Sequence, residues 1–499
     1  MEIKIVITGE EPQKEYVVMS MNPIKFVDAM AELGLNFYRP CGGIGKCMRC
    51  AIKFAYGAPP MTADDERALD FSEMRAGWRV GCKCVITKDC KIEVPASLTS
   101  EITSVLVNEA AEEEDLEKHE IGIAVDIGTT TIATAIIDME TGSLLRQRNT
   151  TNSQIRFGAD VMSRVKAAMD GHGKELQDAV RDDLIKLGQK LLGEDFLMHK
   201  IVFTGNTIMT HLILGYVVDG FASYPFVPYT LDSVHFVESG RDIFFMPAIS
   251  AFVGGDIVSG LYHLRKKSAG GKFLLVDMGT NAELVLYDGN TYWCSSASAG
   301  PALEGASLSC GVASVRGAIN HITIDNGKCS FTTIGGEAPI GLCGSGVIDL
   351  IHELHRNGII DNGGLLSDEY AETGYSITEN IRVSPEDIQQ VLLAKAAIYS
   401  AIQLIAREAG ISLSEIDHLY VSGGLGASMG KWAASGIGIF PKELTEKFEA
   451  VGNTALLGAI DYLKDSDESI LNEIKANAKI VILNTNPDFE KIFIENLML

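Results

Sequence analysis

The sequence predicts two units of different class: a small α+β unit first, then a much larger α/β unit built from two related halves. Three observations predict this. Six of the ten cysteines fall between positions 41 and 90. Residues 1–98 carry thirteen Lys/Arg and thirteen Asp/Glu, so the whole formal net charge of -24 lies beyond them. One strand–turn–strand pattern also occurs twice, as IGIAVDIGTTTIATAIID at 121–138 and FLLVDMGTNAELVLYDG at 273–289.

Within the first unit, IKIVI at 3–7 and YVVM at 16–19 read as a strand pair. A helix is expected over 23–33, ended by Gly34, then a Gly- and Cys-rich loop and short strands near 51–54 and 84–86. This unit is taken as 1–98. Residues 99–119, with an acidic run, read as a linker, partly helical, or equally as a solvated helix face. The second unit is taken as 120–499, an alternation of strands and helices.

The chain has 499 residues, 46% hydrophobic and 22% charged, enough for a sizeable core. So acidic a chain is a poor partner for nucleic acid or anionic membrane. No stretch reaches the ~18 uninterrupted apolar residues of a membrane-spanning helix. Glu2 and Lys4 break the apolar run that a signal peptide needs. A cytoplasmic location is expected, where clustered cysteines read as metal ligands or redox groups rather than disulfides.

Cys41, Cys47 and Cys50 form C-x5-C-x2-C, with Gly42, Gly43 and Gly45 in the first gap. A metal–sulfur cluster needs several thiolates close together, and glycines let a loop wrap tightly and free N–H groups to bond sulfur. A fourth thiolate comes from Cys82 or Cys84. Two residues apart on a strand, they point the same way, so direction leaves the choice open. Four thiolates also suit tetrahedral zinc, although zinc sites usually pair two short C-x2–4-C units. Cys90 reads as an inert strand-end thiol. Lys46, Arg49, Arg79 and Lys83 flank these cysteines and read either as solvated surface or as a basic collar that steers an acidic electron donor.

The segment resembles the ferredoxin-type 2Fe–2S domain of the β-grasp fold, with the five-residue first gap of its adrenodoxin-type variant. In such domains the fourth ligand follows an Arg-hydrophobic-small motif. Here that is Arg79, Val80, Gly81 and Cys82, so the resemblance implies Cys41, Cys47, Cys50 and Cys82 as ligands.

In the second unit, Asp126 ends an apolar run and is followed by Gly128, Thr129, Thr130 and Thr131. Such a turn offers N–H and O–H donors to phosphate oxygens, and the aspartate can hold Mg²⁺ through water. Asp277, Gly279, Thr280 and Asn281 repeat it. LYVSGGLG at 419–426 is a buried strand running into a glycine turn, where Ser422, Gly423, Gly424 and Gly426 would allow close approach of a nucleoside. The three elements, in this order, resemble the phosphate-1, phosphate-2 and adenosine motifs of the ASKHA superfamily, which includes sugar kinases, heat-shock chaperones and actin. The resemblance implies an actin-like, ribonuclease H-like fold of two subdomains that binds ATP with Mg²⁺. PAISAFVG at 247–254 and GNTALLGA at 452–459 resemble its two connecting helices. Met246 stands where chaperone-like members carry a glutamate, leaving Asp256 as a substitute base or an ordinary helix-surface residue.

A 2Fe–2S domain joined to an ASKHA domain resembles the reductive activators of corrinoid proteins. Further blocks carry the likeness: Asn152 to Gln154, Phe157 to Asp160, Gly205 to Met209, Ser309 to Gly311, Gly341 to Gly346 and Asn486 to Phe489. Longer members place a further domain after the linker; only about twenty residues are expected here. The resemblance implies an anaerobic ATPase that takes an electron from a ferredoxin-like donor and returns Co(II) corrinoid protein of a methyltransferase system to Co(I). It leaves a homodimer open. The alternatives are an activator of another low-potential enzyme, such as a dehydratase or reductase, and a small-molecule kinase. Cys294, Cys310, Cys329 and Cys343 lack the spacing of a second cluster.

Overall fold

The structure, a computed structural model, describes residues 1–8, 14–33, 36–37, 50–95, 99–100, 120–158, 160–192, 198–267, 270–279, 281–298, 302–305, 308–426 and 428–499. Of the expected linker over 99–119, Thr99 and Ser100 form a short strand paired with Asn36 and Phe37, and residues 101–119 lie outside the described residues, as do Gly34, Cys41, Cys47, Lys46, Arg49 and Thr280.

In the first unit, β1 (Glu2–Thr8) and β2 (Lys14–Met19) pair antiparallel. α1 (Phe26–Glu32) buries Phe26, Ala29 and Met30 in the core beneath them. With β3 (Ala51–Tyr56), β4 (Trp78–Val80) and β5 (Cys90–Pro95) the sheet has the order β2-β1-β5-β3-β4. β5 runs parallel to β1. The strand expected at 84–86 is only Val85–Ile86, and the preceding Gly81–Lys83 is a 3-10 turn.

The second unit contains two six-stranded sheets. The first comprises β6 (Ile121–Ile127), β7 (Thr131–Asp138), β8 (Leu144–Thr151), β9 (Met198–Gly205), β10 (Val234–Glu238) and β11 (Arg241–Phe245). Its helices include α2 (Val161–Ala167), α3 (Thr207–Leu214) and α4 (Gly255–Lys267). The second sheet comprises β12 (Phe273–Met278), β13 (Ala282–Tyr287), β14 (Tyr292–Ala297), β15 (His418–Ser422), β16 (Phe448–Gly452) and β17 (Ala478–Ile480). α5 (Pro385–Ala409) and α6 (Thr454–Asp465) accompany it.

The strand orders are β8-β7-β6-β9-β11-β10 and β16-β15-β12-β13-β14-β17. In each sheet the repeated hairpin is central, its first strand flanked by a parallel one: β6 by β9, β12 by β15. The internal echo in the sequence is therefore an echo of topology. β6 and β12 are buried along nearly their whole length because both faces are covered, which explains their continuous apolar runs.

α4 and α6 lie in one core with residues of both sheets: Ala124, Val202 and Phe244 from the first, Leu275, Val285 and Tyr420 from the second. The expected small residues permit this crossing. A Cβ on Gly458 would stand 1.8 Å from the Ser259 carbonyl, and one on Gly260 2.8 Å from Thr454 Oγ1. The Ser259 hydroxyl donates across the contact to Ala455 O at 2.6 Å. One expectation needs correction: 247–254 is not the first connecting helix but the loop before it, and α4 begins at Gly255. α5 is long and apolar enough to cross a bilayer, yet 72% of its most apolar window is buried. Ser384 caps it with Asp387 in a capping box, and Gly410 ends it in the left-handed conformation.

Candidate functional site

Each of the two repeated turns is closed by the N–H of its glycine. The Gly128 N–H donates to Thr131 O at 3.0 Å, and the Gly279 N–H to Asn281 O at 3.0 Å. Each turn follows directly on an aspartate at the end of a central strand, Asp126 on β6 and Asp277 on β12. Asn206, N-cap of α3, donates to Thr129 Oγ1 at 3.2 Å. Thr130 is exposed.

The glycine turn at 423–426 stands against the second of these turns. Gly423 has φ +88°, and a Cβ there would lie 2.4 Å from Met278 O and 3.0 Å from an Asp277 carboxylate oxygen. Only glycine satisfies both the conformation and the approach. A Cβ on Gly424 would meet nothing within 4 Å, so the turn is open on that side. Gly426 packs back on Val421.

Four carboxylates feel one another where the halves meet. Asp126 accepts from Asn453 Nδ2 at 2.7 Å, and Asn453 is the N-cap of α6, so the hinge helix is tied to the first turn. Burial raises Asp126 to about 7, opposed by the Asn453 hydrogen bond and reinforced by Asp277. Asp256, in the first turn of α4, is pushed up to about 8 by burial and then by Asp277 and Asp126. Burial also raises Asp277, which the Ser422 hydroxyl partly offsets. The fourth, Glu283, is raised by burial and by Asp256 and Asp277, with Ser296 Oγ donating to it at 3.3 Å.

Asp256 thus faces both turns rather than open solvent. Glu283 escaped the sequence reading. It is the cross-strand partner of Asp277 in the β12–β13 pair, so the two side chains share a face. Like charges placed directly opposite destabilise a sheet, which makes the pairing costly unless a cation or proton accompanies it. Met246 is buried apolar core.

In the first unit, Cys50 lies beside Gly81, the residue before Cys82. The Gly81 N–H donates to Cys50 O at 2.8 Å, and a Cβ on Gly81 would lie 2.7 Å from the same oxygen. Because 81–83 is a 3-10 turn, Cys82 and Cys84 do not point the same way. Cys82 is partly exposed. Cys84 is buried in the core, and burial pushes its thiol up to about 12. Cys90 is wholly buried, its thiol at about 11. Arg79 belongs to no surface collar: it is buried, and its guanidinium donates to the carbonyls of Pro59, Met74 and Trp78. Lys83 is exposed.

A family model described as the C-terminal domain of RACo, the ASKHA domain, matches residues 272–499. One for the RACo middle region matches 121–267, the half that carries the first turn. The corrinoid activation enzyme RamQ of Eubacterium limosum is 30% identical over 421 residues, covering 77% of this chain and 71% of the relative. The [Co(II) methylated amine-specific corrinoid protein] reductase of Methanosarcina barkeri is 23% identical over 415 residues, covering 75% of this chain and 76% of its own. A solved structure, a reductive activator for corrinoid,iron-sulfur protein, shares the fold with a TM-score of 0.67 at 24% identity, covering 100% of this chain and 98% of its own. The chain belongs to the family of reductive activators of corrinoid proteins.

Proposed function

We propose that this chain is an ATP-dependent activator that returns the Co(II) form of a methyltransferase-system corrinoid protein to Co(I). The observation that supports it best is the convergence at one hinge of two phosphate-type turns, a glycine turn and four carboxylates, in a chain that also carries a cysteine loop. Gly128, Thr129, Thr130, Thr131, Gly279, Thr280 and Asn281 would donate to phosphate oxygens, and Ser422, Gly423, Gly424 and Gly426 would admit the adenosine. Asp126 and Asp277 offer the hard oxygen donors that Mg²⁺ takes, usually through water. Asp256, coupled to both aspartates, would in its ionised form accept the proton of the attacking water.

The cysteines fit a 2Fe–2S cluster on Cys41, Cys47, Cys50 and Cys82. The Gly81 N–H on Cys50 O sets Cys82 one residue from the Cys50 backbone, and Cys82 is partly exposed where Cys84 is buried. When bound, the cluster would supply a one-electron carrier. A β-grasp unit over 1–98, a linker over 99–119 and an ATPase over 120–499 would then divide the work, in the cytoplasm, with a ferredoxin-like donor.

Reducing Co(II) is uphill, and each ~59 mV against a one-electron transfer costs ~1.4 kcal/mol. Closure of the two halves about the α4–α6 crossing on Mg²⁺·ATP would supply the drive. Two measurements test this reading. Anaerobically purified protein is expected to hold iron and acid-labile sulfide in equal amounts; stoichiometric zinc after reconstitution with iron and sulfide would overturn the cluster. Mg²⁺·ATP is expected to raise the melting temperature by selective binding to the folded state; an unchanged melt at millimolar ATP would overturn the nucleotide site.

A further inference from the structure

Three sequence blocks left without a task by the nucleotide reading, at 152–154, 157–160 and 205–209, meet at one side chain. Arg164, on α2, is 0% exposed and heads the largest fully buried side chains of the described residues. Its guanidinium donates to Gly158 O at 2.9 Å, Gln154 Oε1 at 3.2 Å, Met209 Sδ at 3.2 Å and Thr129 O at 2.5 Å. Every one of these acceptors is neutral. The opposing charge that acts on it is Asp160, whose carboxylate is already engaged in capping α2, accepting from Ser163 N at 2.9 Å and Ser163 Oγ at 2.6 Å. Burial draws the guanidinium down to about 9, which leaves it charged at neutral pH. Among the described residues no carboxylate forms an ion pair with it; a buried cation so placed is expensive, and its position beside the first phosphate-type turn calls for a reason.

The turn supplies one. The Thr129 carbonyl is held inward by Arg164, and the Gly128 carbonyl by Asn152 Nδ2 at 2.9 Å. The Asn152 N–H takes the Thr130 carbonyl at 2.8 Å. In a planar trans peptide the N–H points opposite to the C=O before it. Pinning the Gly128 and Thr129 carbonyls inward therefore turns the N–H groups of Thr129 and Thr130 outward together, the pattern of an anion-binding nest. Asn206 fixes the Thr129 hydroxyl from the other side.

We propose that Arg164, with Asn152 and Asn206, is the positioning group of the first turn, presenting the Thr129 and Thr130 N–H groups and a buried positive charge to the terminal phosphates of a nucleoside triphosphate. This rests on the nucleotide reading above and deepens it. Adenosine lacks phosphates and belongs to the glycine turn on the other half, so the cradle acts on ATP and leaves adenosine alone.

The test titrates the full-length chain with Mg²⁺·ATP and, separately, with adenosine. Arg164→Met keeps the side-chain length and removes charge and donors; it is expected to weaken ATP at least about tenfold and leave adenosine unchanged. Arg164→Lys, which keeps the charge but not the planar fork, is expected between the two. Loss of ATP and adenosine affinity alike would mean a merely structural role and overturn the proposal, as would unchanged ATP affinity in Arg164→Met. Should Arg164→Met fail to fold, Asn206→Ala decides, because it strands no charge: ATP weakened several-fold with adenosine unchanged supports the cradle, and unchanged ATP overturns it. Failure of the unsubstituted chain to bind ATP would remove the nucleotide reading itself, and this inference with it.

Discussion

The two halves of the second unit begin from one turn and surround it with different chemistry. Opposite Asp126 across the hairpin stands Ala133; opposite Asp277 stands Glu283. Behind the first turn lies the Arg164 guanidinium; against the second lie the Gly423 turn and the Ser422 hydroxyl. Each half contributes two carboxylates, Asp126 and Asp256 from the first and Asp277 and Glu283 from the second, while the guanidinium stands behind the first turn. A polyphosphate needs donors and positive charge, and its cation needs carboxylates. The repeated hairpin keeps its topology, one residue tighter in the second half, while the side chains around it differ.

The largest effect should come from removing either strand-end carboxylate. If the proposed nucleotide site is right, Asp126→Ala and Asp277→Ala are each expected to cut Mg²⁺-dependent ATP turnover about a hundredfold or more, since both would act where phosphate charge is stabilised. The folded state should not suffer, because each removes a member of a crowded acidic group. Wild-type turnover in either variant would contradict that site.

Exchanging the cross-strand residues tests the asymmetry directly. Ala133→Glu puts a carboxylate in a buried position beside Asp126 and is expected to cost about 2–3 kcal/mol of stability by denaturant titration. Glu283→Ala is expected to raise the stability of the ligand-free chain by about 1 kcal/mol while lowering turnover about tenfold. Opposite signs in the two stability changes are the expected result; two losses would mean Glu283 serves the fold.

A gentler probe is pH. Asp126 at about 7 and Asp256 at about 8 hold their protons longer folded than unfolded. Between about pH 4, where the unfolded carboxyls ionise, and about pH 8, the folded chain binds more protons, so its stability falls as pH rises. Asp256→Asn should flatten part of this decline, by about 2 kcal/mol after allowance for the partial exposure of the site. Urea midpoints of the ligand-free chain across that range would show it; an equally steep decline in the variant would contradict it. The smallest effect is expected at Cys84→Ser, which should keep the visible absorbance of the cluster that Cys82→Ser loses.

How much of this the sequence disclosed depends on whether contact or register decides a residue's place. Asp126, Asp277 and the glycine turn were legible because buried parallel strands leave continuous apolar runs that stop at polar turns. Glu283 was not, because the second hairpin is one residue tighter, so Asp277 meets Glu283 where Asp126 meets Ala133. Arg164 sits in an ordinary helical stretch, and its burial follows from α3 and the turn closing over it, which no local pattern records. The same limit misled the reading of Arg79, a surface charge by sequence and a buried carbonyl clamp in the fold. Cys82 and Cys84 were read on a strand and lie on a 3-10 turn, which separates their directions.

The central claim, that nucleotide and cluster act together on cobalt, has one direct test. A cognate corrinoid protein in the Co(II) form is mixed anaerobically with this chain and a reductant such as Ti(III) citrate, and the cobalamin absorbance is followed with and without Mg²⁺·ATP. Cluster reduction should proceed without nucleotide. Conversion to Co(I) should require ATP and should fail in the Cys47→Ser variant. Equal conversion without ATP, or in Cys47→Ser, would contradict the account.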